Sequence, residues 1–191
     1  MNSILQLLID ANIPHLNVEF EEIESFDHSN IFDKFILLHG SKIDSLAFKY
    51  CNLTQDLMEK VMVSCVSLDE LFIEGFKPLS WPKPTRRITS LHRNTTLRKL
   101  TVNYDGPVHS NAVDCLLEFY VKIESLNLAC TRLDDNTTSM ADLVVDKLTT
   151  HNNQCVAKLV LAIENDDRCC EALLRANLRY VPSSLLIPYV G

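Results

Sequence analysis

Seven cysteines and six histidines are the side chains of this 191-residue chain best suited to metal or nucleophilic chemistry. Their spacing argues for neither. The histidines stand at 15, 28, 39, 92, 109 and 151, with no HxH, HExxH or Cys/His pair spacing that would converge on a tetrahedral zinc. Cys51 and Cys65 read as small hydrophobes filling space at a turn and at a helix end. Cys169 and Cys170 are adjacent, a spacing that chelates one metal poorly and closes only a strained disulfide. The acidic pairs Glu21-Glu22, Asp134-Asp135 and Asp166-Asp167 fall in expected loops or helix starts, where carboxylates favour the positive end of a helix dipole. No glycine-rich phosphate loop and no Gly-x-Ser-x-Gly occurs. The expectation is a protein that is not an enzyme and uses no metal or cofactor.

One charged stretch stands out. From Lys77 to Lys99 the chain carries Lys77, Lys83, Arg86, Arg87, Arg93, Arg98 and Lys99 around Trp81, with no acid, in a protein of net charge −7. The functional reading is a basic patch, centred on Lys83, Arg86, Arg87 and Arg93, that docks an acidic or phosphorylated partner or, less readily, RNA. The plain reading is an irregular solvated loop, since Pro78, Pro82 and Pro84 exclude a long helix before about residue 85. The overall acidity disfavours general binding to nucleic acid or to an anionic membrane.

The elements that would position any site come from an internal repetition. The phrase apolar-x-x-Leu-x-apolar occurs six times. It reads Ile13-Leu16-Val18, Ile43-Leu46-Phe48, Leu68-Leu71-Ile73, Leu97-Leu100-Val102, Ile123-Leu126-Leu128 and Val156-Leu159-Leu161. Leu46 and Phe48 are two apart, so on a strand they share one face while Ala47 takes the other. A strand buried on one side needs equivalent neighbours, which points to a parallel sheet with helices over the buried face. The intervening segments have the helical spacing that this requires. Examples are Met58, Val61, Met62 and Cys65, then Val113, Leu116, Leu117 and Tyr120, then Ala141, Val144, Val145 and Leu148. Ile31 to Leu38 reads as a helix ended by Gly40, and Ser110 or Asn111 as the cap of the helix near residue 113. Weaker helices are expected over 3–11, 86–92 and 170–177, and a last short strand over 185–187.

On these residues the chain resembles a leucine-rich-repeat protein over about residues 13–163. The stretch Ile43–Ile73 resembles the cysteine-containing subtype found in F-box substrate receptors. That subtype runs Leu-x-Leu-x-x-Cys, then Ile-Thr-Asp, then a helix ending in Cys-x-x-Leu-x-x-Leu. Leu46, Phe48 and Cys51 match its first part; Leu53 and Thr54 fall one residue early; Cys65, Leu68, Leu71 and Ile73 match its last. In the fifth unit Leu126, Leu128, Cys130, Leu133 and Asp134 match in part, and the remaining units lack the turn cysteine. The resemblance implies an α/β leucine-rich-repeat solenoid, a right-handed horseshoe with a curved parallel sheet on the concave side and helices on the convex side. Residues 1–191 then form a single domain of about six irregular units. Neither terminus carries a polar cap, as expected for a piece of a longer solenoid.

The implied function is protein recognition on the concave face, as in the substrate-binding part of an F-box-type ubiquitin-ligase receptor; a regulatory or structural scaffold is the alternative. The F-box opening is not found in these residues, so ubiquitin-ligase components become partners only through an F-box outside this chain. The alternation puts two rows on that face. The first is Asn17, Ala47, Phe72, Thr101, Asn127 and Val160; the second is Glu19, Lys49, Glu74, Asn103, Ala129 and Ala162. The residues expected to touch a partner are Ala47, Lys49, Phe72, Glu74, Thr101, Asn103 and Asn127. The first apolar run, Ile4 to Ile9, is too short to cross a bilayer and lacks a basic flank. An odd, scattered set of cysteines suits reduced thiols, hence a cytoplasmic or nuclear protein with no membrane partner. The sequons at Asn52, Asn94 and Asn136 read as chance.

Overall fold

The computed structural model describes residues 13–24, 26, 30–75, 94–120, 122–133, 144 and 158–163. Within them the order is β1 (Leu16–Glu21), α1 (Asn30–His39), a 3-10 turn (Gly40–Lys42), β2 (Ile43–Lys49), α2 (Gln55–Ser64) and β3 (Glu70–Gly75). Then come β4 (Lys99–Val108), α3 (Ser110–Phe119), β5 (Ser125–Leu133) and β6 (Lys158–Ile163). All six strands are parallel and lie in sequence order, each bonded to the next. The protein is therefore an α/β fold built on a parallel sheet.

The phrase explains the register. Leu46, Leu71, Leu100, Leu126 and Leu159 stand opposite one another across five strands, and so do Phe48, Ile73, Val102, Leu128 and Leu161. Leu46, Phe48, Leu71, Ile73, Leu100, Val102, Leu126 and Leu128 are buried in one core with the inward stripes of the helices. Those stripes are Phe32, Phe35 and Ile36 on α1, Leu57, Met58, Val61 and Met62 on α2, and Val113, Leu116 and Leu117 on α3. Val144, from the helix expected after residue 138, is helical and buried in the same core. The expected elements at 3–11, 86–92, 170–177 and 185–187 lie outside the described residues.

The first strand departs from expectation by two residues. Leu16 pairs with Ile43, the register shifts between Leu16 and Asn17, and Val18 then faces Leu46 while Phe20 faces Phe48. Ile13-Leu16-Val18 fits the phrase in sequence, yet Phe20 takes the position equivalent to Phe48. The reason is aromatic packing. Phe20 stacks on Phe48 at 5.6 Å and meets Phe26 and Phe32 edge-on at 5.7 and 5.3 Å.

Helix starts follow local chemistry. The Thr54 hydroxyl accepts the Leu57 N–H at 3.2 Å, capping α2. At α3 the cap is His109, whose Nδ1 accepts the Asn111 N–H at 3.2 Å, rather than Ser110 or Asn111. Gly40 does follow the last residue of α1, but no described glycine has positive φ. Gly40 is required for space instead: a Cβ there would stand 2.7 Å from the Ser64 carbonyl oxygen at the end of α2. Gly40→Ala is expected to cost about 1–3 kcal/mol in urea unfolding, because backbone must move to admit the methyl group. A loss of a few tenths or less would show that the approach is not a constraint.

Candidate functional site

Strand alternation leaves the second face of the sheet outside the core. The register assembles Ala47, Phe72, Thr101 and Asn127 into one row and Lys49, Glu74, Asn103 and Ala129 into the next. The seven expected partner-contact residues are thus brought together. Asn103 is exposed and the others are half-buried. The shift in β1 corrects the first column. Glu19, not Asn17, joins the Ala47 row, Glu21 joins the Lys49 row, and Asn17 falls opposite Ser45. Val160 and Ala162 of β6 take the register positions expected of them.

Charge is unevenly spread on this face. Glu19 binds the Lys49 ammonium at 2.8 Å, and Glu70 lies 3.8 Å from that of Lys99. The bond to Glu19 raises the Lys49 pKa most, with Glu21 and Glu74 adding to it. Beyond Lys49 the chain turns through Tyr50 at φ 56°, as it does after β1 through Glu22 at φ 54°. Their N–H groups donate equivalently to the next strand, Glu22 to the Lys49 carbonyl at 2.9 Å and Tyr50 to the Glu74 carbonyl at 2.8 Å. The Tyr50 hydroxyl donates to Glu74 Oε1 at 3.3 Å. Its pKa is raised, first by the charge of Glu74 and further by those of Asp105 and Glu21. Sequence reading missed Tyr50 and Asp105. Alternation stops at the strand end, and a left-handed turn at a tyrosine carries no compositional signal.

The basic run does not form an unopposed patch where it is described. Arg98 is bound by Glu124 and lies 3.5 Å from Asp69, while Lys99 faces Glu70. Lys83, Arg86, Arg87, Arg93 and Trp81 lie outside the described residues.

Cys51, Cys65 and Cys115 are buried. Cys51 Sγ donates to the carbonyls of Phe20 and Lys49, both at 3.3 Å, and burial raises its pKa. Burial pushes the Cys65 and Cys115 thiols up to about 12. A pKa raised on folding means a contribution that is whole below the unfolded value, near 9, and is lost as pH climbs towards 12. The unfolding free energy is therefore expected to fall above pH 9, with Cys65 contributing at most about 1.4 kcal/mol per pH unit. Burial of the Tyr104 and Tyr120 phenols acts in the same direction. Urea titrations at stepped pH should show a shallower decline for Cys65→Ala; identical slopes would refute this assignment.

Among the described residues, no group of three or more His, Cys, Asp or Glu side chains could hold a metal, and no helix is long and apolar enough to cross a membrane. Asn94, one of the sequon residues, is buried with both side-chain polar atoms engaged. Compared with protein-family models, curated proteins and solved structures, the chain matches none.

Proposed function

We propose that the chain is a leucine-rich-repeat solenoid that recognises a protein partner on the face of the sheet opposite the helices. The observation that carries this reading is the register. The four strands β2 to β5 bring Leu46, Leu71, Leu100 and Leu126 to one side and hold Ala47, Phe72, Thr101 and Asn127 in a continuous row on the other. A broad sheet surface with a half-buried aromatic at its middle and polar neighbours has the make-up of a protein-binding patch. The buried thiols of Cys51 and Cys65 suit the positions that the cysteine-containing subtype gives them. They support a role as the substrate-binding part of an F-box-type ubiquitin-ligase receptor.

The test is affinity capture with the full chain and two sets of variants. Ala47→Arg and Thr101→Arg place bulk on the proposed binding face, while Val63→Arg changes an exposed residue of α2. Partners lost with the first two and kept with the third are expected. Partners kept with all three would overturn the reading, and absence of cullin-adaptor components when the chain is captured together with any F-box segment that accompanies it in the cell would remove its ubiquitin-ligase part.

A further inference from the structure

The exposed Tyr50 phenol is hydrogen-bonded to Glu74 of β3, and the strands on either side of β2 and β3 carry two further carboxylates, Glu21 and Asp105. Glu21 ends β1 and stands opposite Lys49; Glu74 of β3 stands opposite Lys49 on its other side and accepts the Tyr50 hydroxyl at 3.3 Å. Asp105, exposed on β4, lies two residues beyond Asn103, which faces Glu74. Tyr50 itself is 38% exposed, its backbone fixed by the N–H bond to the Glu74 carbonyl. Among the described residues, the adjoining cation Lys49 is engaged by Glu19. Around this corner the described residues Glu19, Glu21, Glu22, Glu74 and Asp105 face the single ammonium of Lys49. Glu70 and Lys99 offset each other. Further along, Thr101, Asn103 and Asn127 are uncharged, and Phe72 sits between the two regions. The face is therefore polarised, with an acidic, aromatic end and a neutral, hydrogen-bonding end.

We propose that this face takes an extended, basic segment of a protein partner, seating an arginine or lysine on the Tyr50 ring between Glu21, Glu74 and Asp105, with an apolar neighbour on Phe72. The inference rests on the reading of this face as a protein-binding surface and names the chemistry of the partner. A cation over a tyrosine ring is attracted by the ring face, and the carboxylates strengthen the attraction while repelling acidic segments. Tyr50 lies just past β2, three residues beyond Ala47, and Asn127 lies in the Ala47 row three strand spacings away; about 14 Å across the strands and about 10 Å along them make about 17 Å. About five residues of extended chain span that distance.

The experiment selects binders from a displayed library of random peptides against the full chain, so that residues 77–93 are present throughout. Selected peptides are then measured by fluorescence anisotropy. The expected binders carry Arg or Lys beside an apolar residue and are lost with Phe72→Ser. They weaken roughly tenfold in Glu74→Gln combined with Asp105→Asn, by less at high salt. Tyr50→Phe, which keeps the ring, is expected to bind as the parent does, while Tyr50→Ala does not. Far-UV circular dichroism confirms that each variant is folded. Binders without basic residues that still depend on Phe72 would overturn this inference and leave the surface reading standing. Binders indifferent to Phe72→Ser, or no enrichment at all, would overturn both.

Discussion

Phe48→Ala is expected to be the most damaging single truncation in the chain, at about 4–5 kcal/mol, the upper end for a buried phenylalanine. Phe48 is fully buried on β2 and stacks on Phe20 at 5.6 Å, with Phe26 edge-on at 5.9 Å. Truncation removes the transfer free energy of the ring and leaves a cavity lined by other rings. Those rings cannot collapse inward, because Phe20 and Phe26 are also held by Phe32 at 5.3 and 4.7 Å. The aromatic pairs are lost as well, each worth about 0.5–1.5 kcal/mol beyond area. Thermal unfolding should shift down by about 10–15 °C for a protein of this size. Leu37→Ala is the control. Leu37 is 79% exposed on α1, and its truncation should change stability by about 0.5 kcal/mol or less. Equal losses for the two variants would contradict the placement of the core.

Asn94→Ala is expected to cost about 2–3 kcal/mol, a large effect for a polar residue between two elements. Asn94 is buried at the start of the segment leading to β4. Its Oδ1 accepts the N–H groups of Thr96 and Leu97 at 2.9 and 3.0 Å, and the Thr96 hydroxyl lies 3.0 Å away. Its Nδ2 donates to the Cys65 carbonyl at 3.3 Å, tying this segment to the end of α2. Alanine would remove these partners together, stranding donors beside Leu97, which is itself fully buried. Thr96→Val is the graded comparison. It removes the hydroxyl contacts to the carbonyls of Val66 and Leu68, at 2.8 and 3.0 Å, and to Asn94 Oδ1, keeps the backbone N–H bonds to Asn94, and should cost about 1 kcal/mol. If Asn94→Ala proved no worse than Thr96→Val in urea unfolding, the asparagine would not organise this turn. The same geometry leaves the Asn94 side chain inaccessible to glycosylation in the folded chain, so its sequon matters only before folding.

The strands were legible because one residue type marks them. Leu46, Leu71, Leu100, Leu126 and Leu159 each begin a two-residue alternation, and hydrophobic burial forces that alternation into one register. The candidate face followed from the same alternation, since Ala47 and Phe72 must point away from Leu46 and Leu71. The first strand misled for a physical reason. Leu16 is buried and fits the phrase, but a register shift gives the core position to Phe20, and side-chain packing rather than local pattern decides between them. Turns were less legible. His109 caps α3 because its ring nitrogen reaches the Asn111 N–H, a choice that residue preference assigns to Ser110 or Asn111. Gly40 does end α1, but without a left-handed cap; its constraint is the approach of Ser64, a contact between segments distant in sequence. The run from Lys77 to Lys99 shows the limit of counting charge along a chain. Arg98 and Lys99 meet acids at or just before the starts of β3 and β5, which only the fold brings near.

The reading of the sheet face is most directly tested by placing a photoreactive amino acid at single positions of the full chain. One set replaces Ala47 or Phe72 on the face, and the other replaces Leu37 or Val63, which are exposed on α1 and α2. Irradiation in cells, followed by mass spectrometry, reads which positions acquire a protein adduct. Expected is one recurrent partner crosslinked from Ala47 and Phe72 and absent from Leu37 and Val63. Recurrent adducts from Leu37 and Val63 alone would contradict recognition on the sheet face and move the binding surface to the helices.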